Sequence, residues 1–459
     1  MIEIRCKPCL AAVSRMTDNA ASRGGMTLAF SFHLLSILLR VSASAPSSPV
    51  ATEPNSSTKM TAPELRASGS LALIFALRML GLFLVLPVFA LEAARYPGGD
   101  NTALVGLAIG IYGLTQALFQ LPLGLASDRW GRKPVIVAGL LVFAGGSVLA
   151  AMADSVTGLL VGRALQGAGA VSAAVTALLA DLTRDSVRTK AMAMVGGSIG
   201  LTFALALVLS PLLAAWGGLP GIFGLTGALA LAGIATVLWV VPAAPNSHSD
   251  APRASWKALL QQPDLLRLNL GVLVLHTVQM SMWVAVPALL VQAGLPKADH
   301  WHVYLPTVLL SLAAMGLLFS MERKGRLRMA LLGAIGLVLL VQAGLWLVAS
   351  GHAAGSQSVM AILLFLFFCG FNALEATQPS LVSRMAPAAL RGTALGAYNT
   401  LQSLGLFAGG ALGGVLATWG GMPSLFIATA ALSALWLIVS WPLQPIGRHQ
   451  AVSRQDEHH

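Results

Sequence analysis

Between Gly69 and Leu443 the chain is divided into runs of about 20 residues that carry almost no charge, separated by short polar loops. A helix of about that length crosses the roughly 30 Å hydrocarbon core of a bilayer. Inside lipid every backbone N–H and C=O must be satisfied within the segment. Helices are therefore the reading compatible with the Gly, Pro and Ala content of these runs. Of the 459 residues, 56% are hydrophobic and 10% charged. A soluble domain carries about 25% charged residues, so most of this chain is expected to face lipid.

Twelve runs are legible, near residues 70–94, 103–126, 135–152, 156–180, 191–215, 222–241, 268–292, 302–320, 329–349, 359–382, 393–418 and 424–442. They are numbered here as spans 1 to 12, and the predicted fold class is all-α and membrane-embedded. Lysine and arginine sort between the loops. Those after spans 2, 4, 6, 8 and 10 carry Arg129, Arg132, Lys133, Arg184, Arg188, Lys190, Arg253, Lys257, Arg267, Arg323, Lys324, Arg326, Arg328, Arg384 and Arg391. The opposite loops offer Arg95 and Lys297. Short loops rich in Lys and Arg stay in the cytoplasm. A multi-pass inner-membrane protein with both termini cytoplasmic is expected.

The same sorting accounts for the formal net charge of +11. A nucleic-acid binder needs basic residues clustered on one face of a soluble domain, so nucleic acid is not expected as a partner. Cys6 and Cys9 form a lone Cys-x-x-Cys in the N-terminal tail and Cys369 falls inside span 10, which implies no disulfide framework and no metal site. Residues 1–59 stand apart, with an apolar stretch from Met26 to Val41 broken by His33 and Arg40, then a Ser/Ala/Pro-rich run to Thr58. The small residues Ser42 to Ala45 would suit a signal peptidase. The preferred reading is a disordered or artefactual extension ahead of an internal start at Met60.

The longest internal break in hydropathy, from Ala243 to Asp264, includes Pro245, Pro252 and a short amphipathic piece from Trp256 to Gln262, and it splits the spans six and six. The expected organisation is a bundle over 60–242, a cytoplasmic linker over 243–266, a second bundle over 267–443 and a tail over 444–459. Two echoes support it. Ser127-Asp128-Arg129-Trp130-Gly131-Arg132 after span 2 recurs as Met321-Glu322-Arg323-Lys324-Gly325-Arg326 after span 8, and Arg188-Thr189-Lys190-Ala191 before span 5 as Arg391-Gly392-Thr393-Ala394 before span 11. Such symmetry implies two pseudo-symmetric six-helix bundles around a central cavity.

The sharpest local signal runs from Gly124 through Asp128, Arg129, Gly131, Arg132 and Lys133 to Pro134. It resembles motif A of the major facilitator superfamily, Gly-x-x-x-Asp-Arg-x-Gly-Arg-Lys. Gly124 and Gly131 permit close backbone approach and a tight turn. Asp128 can face the positive N-terminal end of a helix, with the start of span 11 near Gly392 as its natural partner. The resemblance widens over residues 60–443 to a proton-coupled drug-efflux member of that family, carried by Leu77-Arg78-Met79-Leu80-Gly81, Gly110-Ile111-Tyr112-Gly113-Leu114-Thr115-Gln116, Gly162-Arg163-Ala164-Leu165-Gln166-Gly167, Arg188-Thr189-Lys190-Ala191-Met192-Ala193 and Trp239-Val240-Val241-Pro242. It implies that Asp128, Arg132 and Asp181 form a charge relay locking the outward-facing state. Two departures stand out. That member carries a soluble C-terminal domain where this chain has only residues 444–459, and the Gly-Pro of the antiporter motif in span 5 is replaced by Ser210-Pro211.

Ionisable residues inside the membrane are costly unless they are paired or face a watery cavity. Arg78 in span 1, Arg163 in span 4, His276 in span 7 and Glu375 in span 10 qualify, and the resemblance places all four spans around the cavity. Burial disfavours the anionic form of Glu375, so its carboxyl can gain and lose a proton as the cavity changes face. A permanently paired, structural Glu375 is the alternative. Arg163 with Gln166 and Gly167 resembles the family's motif B, whose arginine would influence proton transfer; otherwise it donates to carbonyls of span 1. Arg78 either meets the same region or snorkels to the surface. His276 either titrates or is a hydrogen-bonded packing residue.

For substrate contact the spans offer Arg78, Phe83, Gln279, Met280, Met282, Trp283, Phe371, Asn372 and Gln378, a set of aromatic, methionine and amide side chains suited to varied apolar shapes. Interhelical packing is the plainer reading of any one of them. No Walker A loop, zinc motif or nucleophile elbow appears, so neither an enzyme nor a cofactor is expected. The expectation is a monomeric secondary carrier exchanging protons for a drug-like or amphipathic small molecule by alternating access. An uptake carrier for a sugar or other metabolite is the alternative.

Overall fold

A computed structural model describes residues 59–242, 262–386 and 390–443. The expectations for the N-terminal extension, for Cys6 and Cys9, for nearly all of the linker and for the tail lie outside the described residues. Among those described there are helices and loops and no strands.

Local chemistry starts the first helix. Thr61 accepts from the Glu64 backbone N–H, the Glu64 carboxylate accepts from the Thr61 N–H at 2.8 Å, and Pro63 sits in the first turn of Ala62–Phe83. That helix stops short of Pro87, which has no N–H and crowds the carbonyl four residues back, and span 1 finishes as the separate turn Phe89–Ala93. Hydroxyls satisfy the carbonyls exposed by the break: Ser210 donates to the Leu84 carbonyl at 2.6 Å and Thr226 to that of Gly81 at 3.3 Å. The serine of the departed Ser210-Pro211 motif thus ties span 5 to span 1. Asn101, Ser155 and Ser356 cap Thr102–Trp130, Val156–Ala168 and Gln357–Met385 in the same way as Thr61.

Among the described residues, nine stretches are long and apolar enough to cross a bilayer. Two of them, Lys190–Trp239 and Gly392–Ser440, run to 50 and 49 residues and double back on themselves, and Trp301–Arg323 completes the twelve. The reversals fall at Gly218, with φ 59°, and at Gly421, with φ 71°, conformations that favour glycine. Each lies in the same five-residue frame, Trp216-Gly217-Gly218-Leu219-Pro220 and Trp419-Gly420-Gly421-Met422-Pro423. This is a third echo between the halves, and it fixes the hairpins of spans 5–6 and 11–12.

Span 4 differs from the single helix expected. It divides into Val156–Ala168 and Ser172–Asp181. At the break a Cβ on Gly167 would lie 2.2 Å from the Tyr112 carbonyl oxygen and one on Gly169 would lie 2.4 Å from that of Gly139, so spans 2 and 3 press directly against its backbone.

The N-terminal bundle packs around Leu71, Ile74, Ile136, Leu140, Leu178 and Val237, and the C-terminal bundle around Val272, Leu275, Val338, Leu364, Leu374 and Phe426. Leucines 118, 121, 125, 201 and 340 are exposed, as a lipid-facing surface requires. Spans 2 and 11 form the seam between bundles. Near the face opposite the basic loops, Gly106, Gly110 and Gly113 lie against the backbone of Ser403, Phe407, Gly410 and Gly414. Towards the basic face Gly124 meets only Ala173 of span 4, and Gly392 and Gly396 meet nothing within 4 Å. The two spans therefore diverge, and the cleft opens on the basic face.

Candidate functional site

The intramembrane charges segregate by bundle. Arg78 is buried, not snorkelled: its guanidinium donates to the Ser172 hydroxyl at 2.8 Å, the Tyr112 hydroxyl at 2.6 Å and the Gln116 side-chain oxygen at 3.1 Å. Arg163 is 1% exposed and donates to Gln166 at 3.2 Å and to the Ile109 carbonyl at 3.3 Å, with its guanidinium 4.9 Å from the centre of the Tyr112 ring. Its backbone partner is thus on span 2, not span 1. Tyr112 lies between the two cations, giving its hydroxyl to one and its ring face to the other.

Glu375 and His276 come together in the other bundle, with His276 Nε2 3.5 Å from Glu375 Oε2. Arg163, grouped with them by sequence, contacts neither. The residue that joins them is Gln402 of span 11, whose amide nitrogen lies 2.8 Å from His276 Nε2 and donates to Glu375 Oε1 at 3.1 Å. The His276 ring is buried, with Nδ1 3.0 Å from the Val272 carbonyl and its centre 5.9 Å from that of the Phe371 ring in an edge-on arrangement. The Glu375 side chain keeps 39% of its surface exposed. It can be reached from the cleft.

One residue along, Ser403 accepts from the Gln116 amide at 3.0 Å. A polar chain therefore runs from Arg78 through Gln116 to Ser403, across the seam to the residue beside Gln402. The sequence gives Gln116 only a place in a family-like segment and Gln402 no role, because a neutral amide in an apolar run does not announce a partner. The usable signal was that an amide, too, needs one inside a membrane.

Phe83 contributes to an aromatic line across the cleft. Its ring is 5.1 Å from Phe203 of span 5, which is 6.1 Å from Phe368 of span 10. Beside it a small apolar cavity is lined by Gln279, Met282, Trp283, Val286, Phe367 and Phe368. Asn372 donates to Ser311 at 2.8 Å. Met280 lies elsewhere, packed so closely on span 11 that a Cβ on Gly409 would sit 2.8 Å from its own Cβ. Gln378 borders a separate small cavity with Trp436 and Arg267.

At the basic face Arg132 bridges two carboxylates. It donates to Asp181 at 3.0 Å and pairs with Asp128, and it also donates to the Ser127 hydroxyl at 2.8 Å. Lys133 donates to the Val241 carbonyl at 2.6 Å, Arg129 is exposed, and Gly131 turns the chain with φ 93°.

At the opposite face, the two basic residues of those loops converge on one acid that sequence reading had left unremarked at the end of span 1. Glu92, with 3% of its side chain exposed, pairs with Arg95 at 3.3 Å and with Lys297 of the C-terminal bundle. His300 is buried next to this pair, with Nε2 3.2 Å from the Leu295 carbonyl. Burial, reinforced by the Lys297 charge, pushes His300 down to about 4.

Twelve spans in two halves, a motif-A turn and a polar cluster within the spans agree with the sequence profile of the Major Facilitator Superfamily, which matches residues 71–410 and 321–458. The chain belongs to this superfamily.

Among superfamily relatives, it is 46% identical over 387 residues to the inner membrane transport protein YajR of Escherichia coli strain K12, covering 83% of this chain and 84% of YajR. It is 26% identical over 388 residues to the multidrug resistance protein MdtL of E. coli O17:K52:H18, covering 78% of this chain and 95% of MdtL. In three dimensions it resembles a bacterial homologue of the human lysosomal transporter Spinster in an inward-facing and occupied conformation, at a TM-score of 0.69 and 14% identity, over 83% of this chain and 97% of the other. The superfamily assignment marks a membrane transporter of small molecules, not an enzyme.

Proposed function

We propose that this transporter is a proton-coupled antiporter, exporting drug-like or amphipathic small molecules across a bacterial inner membrane by alternating access. The observation that carries the reading is the His276–Glu375 pair, two titratable groups in contact, the imidazole buried and the carboxyl side chain part-exposed, near an aromatic cavity with few polar groups. A carboxyl that must change protonation as the cleft changes face couples the two movements. Phe83, Phe203, Phe368 and Trp283 offer apolar faces to an amphipathic guest, and Gln279 and Asn372 offer few hydrogen bonds to a sugar. The likeness to MdtL and YajR supports export and an inner-membrane setting.

In this reading the basic face and both termini are cytoplasmic, the structure represents an inward-open state, and the protein works as a monomer. Asp128, Arg132 and Asp181 form the cytoplasmic relay. Arg78 and Arg163 hold the N-terminal bundle around Tyr112, and Arg163 acts on proton transfer only indirectly.

The test is proton movement in reconstituted vesicles on adding a panel of lipophilic cations, wild type against Glu375→Gln. Substrate-dependent proton movement that disappears in the variant supports the reading. Flux that persists in both proteins without proton movement sinks it.

A further inference from the structure

Hydrogen arithmetic around Gln402 restricts the protonation state of its neighbours. His276 Nδ1 lies 3.0 Å from the Val272 carbonyl oxygen, which can only accept, so Nδ1 carries a hydrogen. In the neutral ring Nε2 is then an acceptor, and whatever Gln402 presents to it at 2.8 Å must be an N–H. The same nitrogen has a second hydrogen, and this one goes to Glu375 Oε1 at 3.1 Å. One amide thus gives a hydrogen each to Nε2 and Oε1, while Glu375 Oε2, 3.5 Å from Nε2, is buried without a hydrogen-bond partner among the described residues. Rotated by half a turn it would present its oxygen to both, matching an imidazolium N–H and a carboxylic O–H instead.

The backbone holds Gln402 where it can do this. A Cβ on Gly405, one turn further along span 11, would lie 2.5 Å from the Leu273 carbonyl oxygen and 3.0 Å from His276 Cβ, so only glycine lets spans 7 and 11 come this close. Few other charges face the pair. Tyr398 on span 11 is a buried hydroxyl without a partner among the described residues and near enough to feel the Glu375 charge. From span 8 the contact is neutral, Ser311 on Asn372, and Phe371 of span 10 gives only a ring. From the N-terminal bundle Arg78 is linked through Gln116 and Ser403.

We propose that Gln402 is a positioning residue that stabilises the proton-free form of the His276–Glu375 pair while the cleft is open on the basic face, and so promotes proton release there. The inference rests on the coupling role given to Glu375 above and adds a second residue to it, on the helix that forms the seam.

Infrared titration of the purified protein tests it without any transported solute. The protonated-carboxyl band of Glu375 is identified by its loss in Glu375→Gln, and its titration midpoint is compared in wild type and in Gln402→Leu, which keeps volume and helix propensity in an apolar setting. Gln402→Ala serves as a second variant. Losing a hydrogen bond made only to the deprotonated state is expected to move the midpoint up by about one pH unit, a tenfold change, and Gln402→Asn to restore part of it. An unmoved midpoint in both variants overturns the role of Gln402 while leaving the Glu375 reading to the vesicle assay. A Glu375 band that does not titrate between about pH 4 and 10 overturns both.

Discussion

Gln116 of span 2 donates its side-chain amide to the Ser403 hydroxyl of span 11 at 3.0 Å, across the seam between the two bundles. The same Gln116 accepts from Arg78. A side-chain hydrogen bond between bundles, placed where the backbones touch, favours the state in which the seam is closed. Ser403→Ala should cost that state about 1 kcal/mol and leave the fold of each bundle intact. Spin labels at positions 100 and 298, on exposed loops of the two bundles at that face, are expected to shift towards longer distances. An unchanged distance distribution would remove Ser403 from the closure.

Glu92→Gln removes the acid shared by Arg95 and Lys297. Stripping one partner from a fully buried pair costs about 3–5 kcal/mol; the figure is smaller here because Lys297 keeps 19% of its side chain exposed. The same pair of labels should report opening at the face opposite the basic loops, and Lys297→Met should mimic it. The double variant is expected to add little to either single one.

Acid should open this face as well. His300 is held down to about 4 in the closed state, against about 6.5 for a free imidazole. A histidine with a lowered value contributes stability that is complete above the free value and is lost as pH falls towards the lowered one. Closure should therefore weaken between about pH 6.5 and pH 4 in the label distances, and His300→Phe should flatten that dependence. A wild-type distance that ignores pH over this window rules the effect out.

At the basic face the two acids of Arg132 are not equivalent. Asp128 leaves 53% of its side chain exposed and Asp181 only 21%. Exposed pairs contribute about 0.2–1 kcal/mol, so Asp181→Asn should alter the conformational balance and the transport rate more than Asp128→Asn, with neither unfolding the protein. Thermal midpoints alongside transport would reveal the reverse order if it holds.

The number and approximate positions of the spans were legible because lipid imposes one length and one polarity on each, but the first helix starts at Ala62, ahead of the run expected near residue 70. The four intramembrane ionisable residues stood out for the same reason. Their partners did not. The partners of Arg78 and Arg163 are Tyr112, Gln116, Gln166, Ser172 and a carbonyl, all neutral groups whose proximity depends on three-dimensional packing. The break in span 4 escaped notice because Gly167 and Gly169 read as ordinary small residues of a membrane helix, whereas backbones from two other spans lie against them. Glu92 escaped because a single acid near a helix end looks solvated until its two cations are seen to come from different bundles.

The paired Trp-Gly-Gly-x-Pro hairpins carry one more implication. Trp216 and Trp419 are 87% and 83% exposed, each at the tip of a hairpin on the face away from the basic loops. Indole rings settle at the headgroup level of a bilayer, so each bundle has its own float at the same depth. In the alternating access proposed above, rocking would then tilt the halves beneath a shared waterline, with neither sinking nor rising against the lipid.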